Sequence, residues 1–203
     1  MKPSRDRGHT SRPKGRGRHA VALALMCAVL SATTPSWAAE LDGVSFPDST
    51  TLDGKPLILN GLGQRIAYIF VKVYVAGLYL PEKTTDAKQA IANDVAKEIV
   101  MKFQRAVSGD EMRKSMSESL AEAAADPALA DRVRTFEKCF DQPLDAGDVV
   151  ALDYRPGQGT AVVVDGKARA TIAGADFMRA LLSIWLGPNP PNQSLKDGLL
   201  GGA

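Results

Sequence analysis

N-G-L-G-Q-R-I-A-Y-I-F-V-K-V-Y-V-A-G-L-Y-L-P, residues 60–81, holds the longest apolar run of the chain after residue 38. A Gly-rich turn carrying Arg65 leads into Ile66–Leu80, a run of β-branched and aromatic residues whose one charge is Lys72. A strand with one wet face alternates apolar with polar residues, so a near-continuous run reads as a core strand covered on much of both faces. A guanidinium at the mouth of such a strand is the first candidate for function.

Working outward, the N-terminus has to be set aside. Residues 1–19 carry Lys2, Arg5, Arg7, Arg12, Lys14, Arg16 and Arg18, and Ala20–Leu30 is apolar. Small residues follow. This order is that of a secretory signal peptide, and its 11-residue apolar run (20–30) falls short of the ~20 needed to span a bilayer. Cleavage after Ala38 places Ser36 and Ala38 at the small-residue positions. Met26 before Cys27 does not make a lipoprotein context. The expectation is residues 1–38 as signal peptide, 39–203 as one domain, and a periplasmic or secreted location.

Seven of the 25 basic residues and one of the 23 acidic ones lie in 1–38, which leaves 18 against 22, a net charge of −4. The basic balance of the whole chain therefore belongs to its leader. No nucleic-acid partner is expected, and no stable membrane insertion. Both histidines, His9 and His19, also precede residue 39. Histidine-dependent triads and His-ligated zinc or haem are thereby excluded from the mature chain. No metal and no cofactor is expected. Cys139, the single remaining cysteine, lies between Phe136 and Phe140 and reads as a small core hydrophobe.

Short strands are expected within Glu40–Thr51 and from Leu57, the latter running into Gly61 and Gly63. Glycine inside a strand signals a bulge or a close approach of backbone or ligand. Thr84–Asn93 reads as a short helix capped by Thr84 or Thr85. Lys97–Val107 reads as a strand with Ile99, Met101 and Phe103 on one face. Arg105 falls on that apolar parity, and two readings stand, a cation pointing into a cavity or a solvated one at a frayed strand end. Ser108-x-x-Glu111 is a capping box opening a helix to about Ala125. Asp126-Pro127 opens a second helix to Phe140. Asp148–Tyr154, Thr160–Val164 and Lys167–Ile172 read as strands, the last two joined by Asp165-Gly166. Gly174–Leu186 is a helix with Phe177, Leu181, Ile184 and Trp185 inward, and Leu195–Leu200 is a last helix. Tyr68 and Tyr79 read as packing residues. Clustered strands separated by helices give an α+β fold, an antiparallel sheet with a helical layer on one face.

The block Gly61-Leu-Gly-Gln-Arg65 with Phe70–Leu80, F-Q-R-A-V-S at Phe103–Ser108, and the closing Ile184-Trp-Leu-Gly-Pro188 resemble the chalcone isomerase family, more particularly its bacterial secreted chalcone isomerase-like members. The resemblance implies an open-faced β-sandwich, a large antiparallel sheet packed against helices, with a ligand cleft between. Family members include isomerases, fatty-acid binders and non-catalytic proteins. It also implies a cleft role for Arg65, which matches the family arginine that polarises the substrate or pairs with a fatty-acid carboxylate. The other cleft positions depart from the enzymes: a threonine falls on Tyr74, a tyrosine on Met112, and an asparagine or lysine on Ser119. These departures argue against chalcone cyclisation and leave the catalytic residues unassigned.

The expected function is binding of a small amphipathic carboxylate, such as a fatty acid, by Arg65, Tyr74, Met112 and Ser119. An intramolecular isomerase or lyase on another substrate, or a scaffold for a protein partner, are the alternatives. A guanidinium stays charged and presents a planar fork suited to a carboxylate, and burying one without a counter-ion is unfavourable.

Overall fold

A computed structural model of the chain describes residues 39–68 and 70–202. The expectations for residues 1–38, including the cleavage site, Cys27 and both histidines, lie outside the described residues. Among the described residues nine strands and six helices run in the order β1 (Ala39–Leu41), β2 (Val44–Phe46), β3 (Ser49–Leu52), β4 (Lys55–Ala67), β5 (Val71–Leu80), α1 (Ala87–Ala92), β6 (Lys97–Phe103), α2 (Gly109–Ser119), α3 (Ala121–Ala125), α4 (Pro127–Glu137), β7 (Val149–Arg155), β8 (Gly159–Val164), β9 (Lys167–Ile172), α5 (Ala175–Leu186) and α6 (Gln193–Leu199). A 3-10 turn, Lys138–Phe140, extends α4. Strands β3 to β9 form one seven-stranded antiparallel sheet in sequence order, and β1 and β2 form a separate hairpin. The fold is α+β, an antiparallel sheet packed against helices as expected.

The long apolar run is two strands, not one. Ile66 and Ala67 end β4, Tyr68 and Phe70 lie in turn conformation, and β5 begins at Val71. Arg65 therefore stands within a strand, opposite Tyr74, and not in a Gly-rich turn. Apolar composition concealed the reversal, because Tyr68 and Phe70 stand in the turn rather than the residues that usually mark one. Tyr68 is not a packing residue either; it is 86% exposed. From Tyr74 onward, β5 behaves as its sequence predicts. Tyr74, Ala76, Leu78 and Leu80 pack under the helices with Phe136, Phe177, Leu181 and Trp185. Val75 and Tyr79 pack on the other face with Phe46, Leu57 and Leu59, beneath the β1–β2 hairpin. Tyr79 also donates its hydroxyl to Pro47 O at 2.9 Å.

The glycines of β4 admit α6. A Cβ at Gly61 would lie 2.1 Å from Gly198 O, and one at Gly63 would lie 2.2 Å from Leu195 O, so only a hydrogen fits at either position. A bulge between Leu59 and Gly61 accompanies this approach. Leu195 and Leu199 of α6 are fully buried beside it.

Several local expectations hold with shifted boundaries. Ser108 and Glu111 form the full capping box of α2, and Asp126 caps α4 with Pro127 in its first turn. The helix to Ala125 is interrupted at Leu120, which closes α2 and precedes α3. The cap of α1 is Asp86, which accepts from Lys88 N and Gln89 N, and not Thr84 or Thr85. Thr84 is engaged elsewhere: its backbone N–H donates to Asn60 Oδ1 at 2.7 Å. Asp165 and Gly166 take left-handed backbone conformations at φ 49° and 71°, which a two-residue hairpin turn of this kind demands. Cys139 is a free, buried cysteine, and burial pushes its thiol up.

Candidate functional site

Strand β3 pairs only with the first part of β4, from Lys55 to Ile58. The outer edge of β4 beyond Ile58 must find other partners for its backbone. The segment before α6 supplies them. Asn192 donates its side-chain amide to Gln64 O at 3.0 Å and accepts from Ile66 N at 3.2 Å. One side chain thus replaces a neighbouring strand at the point where a second bulge, between Arg65 and Ile66, breaks the register with β5. The neighbouring Pro191 offers its carbonyl to Arg65 Nη1 at 3.3 Å, and Ile66 O accepts from the same nitrogen. Arg65 is in this way aimed by its own bulge and by the start of α6.

Arg65 opens onto a cleft of about 520 Å³, within the size range of small-molecule sites. The cleft lies between the open ends of β4, β5 and β6 and helix α2. Tyr74, Met112 and Ser119 line it as well, so all four residues proposed from the sequence share one hollow. They differ in what they offer. Tyr74 is buried, and its hydroxyl accepts from Trp185 Nε1 at 3.0 Å, which leaves the phenolic proton for another acceptor. Burial raises the pKa of this phenol; the Trp185 hydrogen bond and the Arg65 charge offset part of the rise. Tyr74 therefore serves as a neutral donor at ordinary pH. Met112 is a buried apolar wall. Ser119 sits on the rim, its hydroxyl donating to Ser115 O at 2.8 Å within α2.

Arg105 also lines the cleft. Each of the two sequence readings of Arg105 holds in part: β6 ends at Phe103, two residues earlier, and the Arg105 side chain is 39% exposed, yet it borders the cleft. Its Nη2 pairs with Glu111 Oε1 at 3.3 Å, and its Nε is shielded from solvent without a hydrogen-bond partner among the described residues. The Glu111 carboxyl is held below its ordinary value, first by the Ser108 backbone N–H, then by the Ser108 hydroxyl and Arg105. Arg65, by contrast, contacts neutral carbonyls, and among the described residues no carboxylate pairs with it. Val73, Phe103, Val107, Met116 and Ile184 supply the apolar part of the lining. A second hollow of about 540 Å³ on the far side of α2 and α3 shares Ser119 and Ile184 with the first.

Asn192 was not identifiable as a site residue in its Pro/Asn-rich segment, because its role depends on an edge left open by a short β3. Arg105 was legible as one of two readings in the parity of Lys97–Val107, although β6 itself ends at Phe103. Among the described residues no group of three or more His, Cys, Asp or Glu side chains is placed to hold a metal ion.

A family profile described as chalcone isomerase-like matches residues 38–201. The chain belongs to the chalcone isomerase-like family. Among solved structures, the fatty-acid binding protein AtFAP1 of Arabidopsis thaliana is similar in fold, with a TM-score of 0.59 over 81% of this chain and 95% of that one, at 16% sequence identity. No curated protein sequence matches the chain.

Proposed function

We propose that this chain is a non-catalytic binding protein for a fatty acid or a similar amphipathic carboxylate, acting in the periplasm after removal of residues 1–38. The carrying observation is Arg65, a guanidinium that faces a cleft and is met there by carbonyl oxygens rather than by a carboxylate. Among the described residues such a cation lacks a counter-charge, and a ligand carboxylate supplies one in the planar geometry the fork prefers. Tyr74 stands opposite Arg65 in the strand register and donates its free proton to the same head group. Arg105 provides a second positive charge, already partnered by Glu111. Phe103, Met112, Met116 and Ile184 line the path for the acyl chain, with Ser119 at the rim. The fold shared with a fatty-acid binding protein supports this reading. So do the departures from the enzymes that the family resemblance implies at Met112 and Ser119.

Protein recovered from the periplasm and analysed by native mass spectrometry should carry a co-purifying acid. After delipidation it should bind a fluorescent fatty acid saturably. Arg65→Ala should weaken that binding by roughly 10- to 100-fold, the value of a charge-assisted pair. Wild-type protein that emerges empty and shows no saturable binding overturns the proposal. Turnover of a chalcone that falls with Arg65→Ala would replace it with a catalytic reading.

A further inference from the structure

The tip of the β4–β5 hairpin is an exposed aromatic feature. Tyr68 and Phe70 are 86% and 79% exposed. Tyr68 adopts φ 47°, a left-handed backbone that a bulky side chain takes at a cost. Solvated turns are ordinarily made of Gly, Asn, Asp or Ser, and this one reads Ala67-Tyr-Ile-Phe70. Neither aromatic residue is needed by the cores, which lie at the other end of β5.

The tip has a charge pattern of its own. Arg65 and Lys72 stand at its base, and no acidic residue occurs from Gly61 to Pro81. Lys72 is half-exposed and pairs with Asp42 at 2.5 Å. With Lys72 paired and Arg65 turned to the cleft, what the tip offers is its rings, and exposed aromatic residues are what a protein places at the boundary between water and lipid, the rings among the head groups. The tip is also continuous with the cleft, since Ile66, Ala67 and Tyr68 line its mouth.

We propose that the Tyr68–Phe70 hairpin tip docks on the surface of a lipid bilayer, so that the mouth of the Arg65 cleft opens at the level where amphipathic acids reside. This inference rests on the reading of the cleft as a carboxylate-binding site: an acid with a long apolar tail is held mainly in membranes, and the mouth that collects or delivers it must meet them. The contact is peripheral, because no helix among the described residues is long and apolar enough to cross a membrane. The charges around the cleft are mixed, with Lys114 and Arg105 beside Glu111 and Glu118. Attachment therefore depends on the aromatic residues more than on net charge, and salt weakens it little.

The test uses residues 39–203, which contain the whole sheet and both cores, and vesicles of phosphatidylethanolamine and phosphatidylglycerol in equal parts. The wild-type chain should float with the vesicles at low and at high salt. Phe70→Asp should reduce the bound fraction at least tenfold, Tyr68→Ser should reduce it less, and Phe70→Trp should retain it. Phe70 does not line the cleft, so Phe70→Asp should bind a fluorescent fatty acid in vesicle-free buffer as the wild type does. Arg65→Ala should lose the acid and still float.

A wild type that stays unbound to vesicles overturns the docking surface and leaves the cleft reading intact. Equal flotation of Phe70→Asp and wild type overturns it too, as does a wild type that uses Phe70 to self-associate while leaving vesicles alone. Flotation that requires Phe70, in a protein that binds no acid, upholds the docking surface and overturns the cleft reading instead.

Discussion

The two ends of the β4–β5 hairpin are built from the same kinds of residue and do opposite things. At the closed end, Tyr74 to Leu80 are buried on both faces, between helices on one side and the β1–β2 hairpin on the other. At the open end, Arg65, Tyr68, Phe70 and Lys72 project into a cleft or into solvent. Aromatic and β-branched composition does not distinguish the ends. What distinguishes them is cover: α6 lies on Gly61 and Gly63 and stops short of Arg65, with Asn192 marking the boundary. Function is left where the covering elements end. The arginine that would be costly in the closed half is available to a ligand in the open half.

The largest effect should come from prying the covered half open. Gly63→Val places a branched side chain where a single Cβ would already lie 2.2 Å from Leu195 O. The backbone of α6 would have to shift away. A loss of about 3 kcal/mol or more in chemical denaturation is expected, at the upper end for overpacking. Ligand affinity should fall with it, since the segment leading into α6 carries the Pro191 and Asn192 contacts that aim Arg65. Retention of wild-type stability would mean that the seam between α6 and β4 is looser than its geometry.

A smaller change at the boundary should separate the halves. Asn192→Ala leaves Gln64 O and Ile66 N without their side-chain partner. The expected cost is about 1–2 kcal/mol of stability, with weaker ligand binding through a less firmly held Arg65. Asn192→Asp keeps the acceptor for Ile66 N and loses the donor, so it should fall between. If Asn192→Ala weakens ligand binding no more than a distant surface substitution does, Arg65 is positioned by its bulge alone.

The closed half was the legible half. Its double-sided burial followed from an uninterrupted apolar run, and the inward residues of α5 from their spacing. The glycines of β4 announced a close approach but not the helix that makes it, which lies more than 130 residues further on. The open half was misjoined, because Tyr68 and Phe70 made a turn look like a strand. Strand β6 shows the same limit in another form. Lys97, at its start, and Arg105, two residues past its end, both fall on its apolar parity, and parity alone assigns neither a partner. The fold buries Lys97 against Ala90 O and Asn93 O at 2.6 and 2.8 Å, and turns Arg105 to the cleft. Of the candidate site, Arg65 stood out by its place at the mouth of the apolar run and the resemblance added a cleft role, whereas Tyr74, Met112 and Ser119 were reached through family resemblance alone; the convergence of the four on one hollow is a matter of three-dimensional packing.

The smallest expected effect lies at the closed end and concerns pH. Glu98 sits opposite Tyr79 on β5 and opposite Asp153 on β7. Burial, with a further push from the Asp153 charge, raises its carboxyl to about 7, against a smaller lowering by Thr50 and Arg155. Asp153 is raised as well, chiefly by burial, and one of its carboxylate oxygens is shielded without a hydrogen-bond partner among the described residues. Arg155 is 3.8 Å from Asp153 but 2.9 Å from Asp53, so it is shared between them. A carboxyl whose pKa is higher in the folded chain than in the unfolded one binds more protons when folded, and stability then falls as pH rises. The fall should run between the unfolded glutamate value, about 4.3, and about 7, and its full cost is present above that window. Glu98→Gln should flatten the slope and leave the protein slightly more stable at pH 8, as read from denaturation midpoints across the range. Fatty-acid binding by Glu98→Gln should match the wild type at every pH, because Glu98 is not part of the cleft. A slope unchanged by Glu98→Gln would assign the pH dependence to Asp153, and a ligand affinity that moved with it would break the division between the two ends.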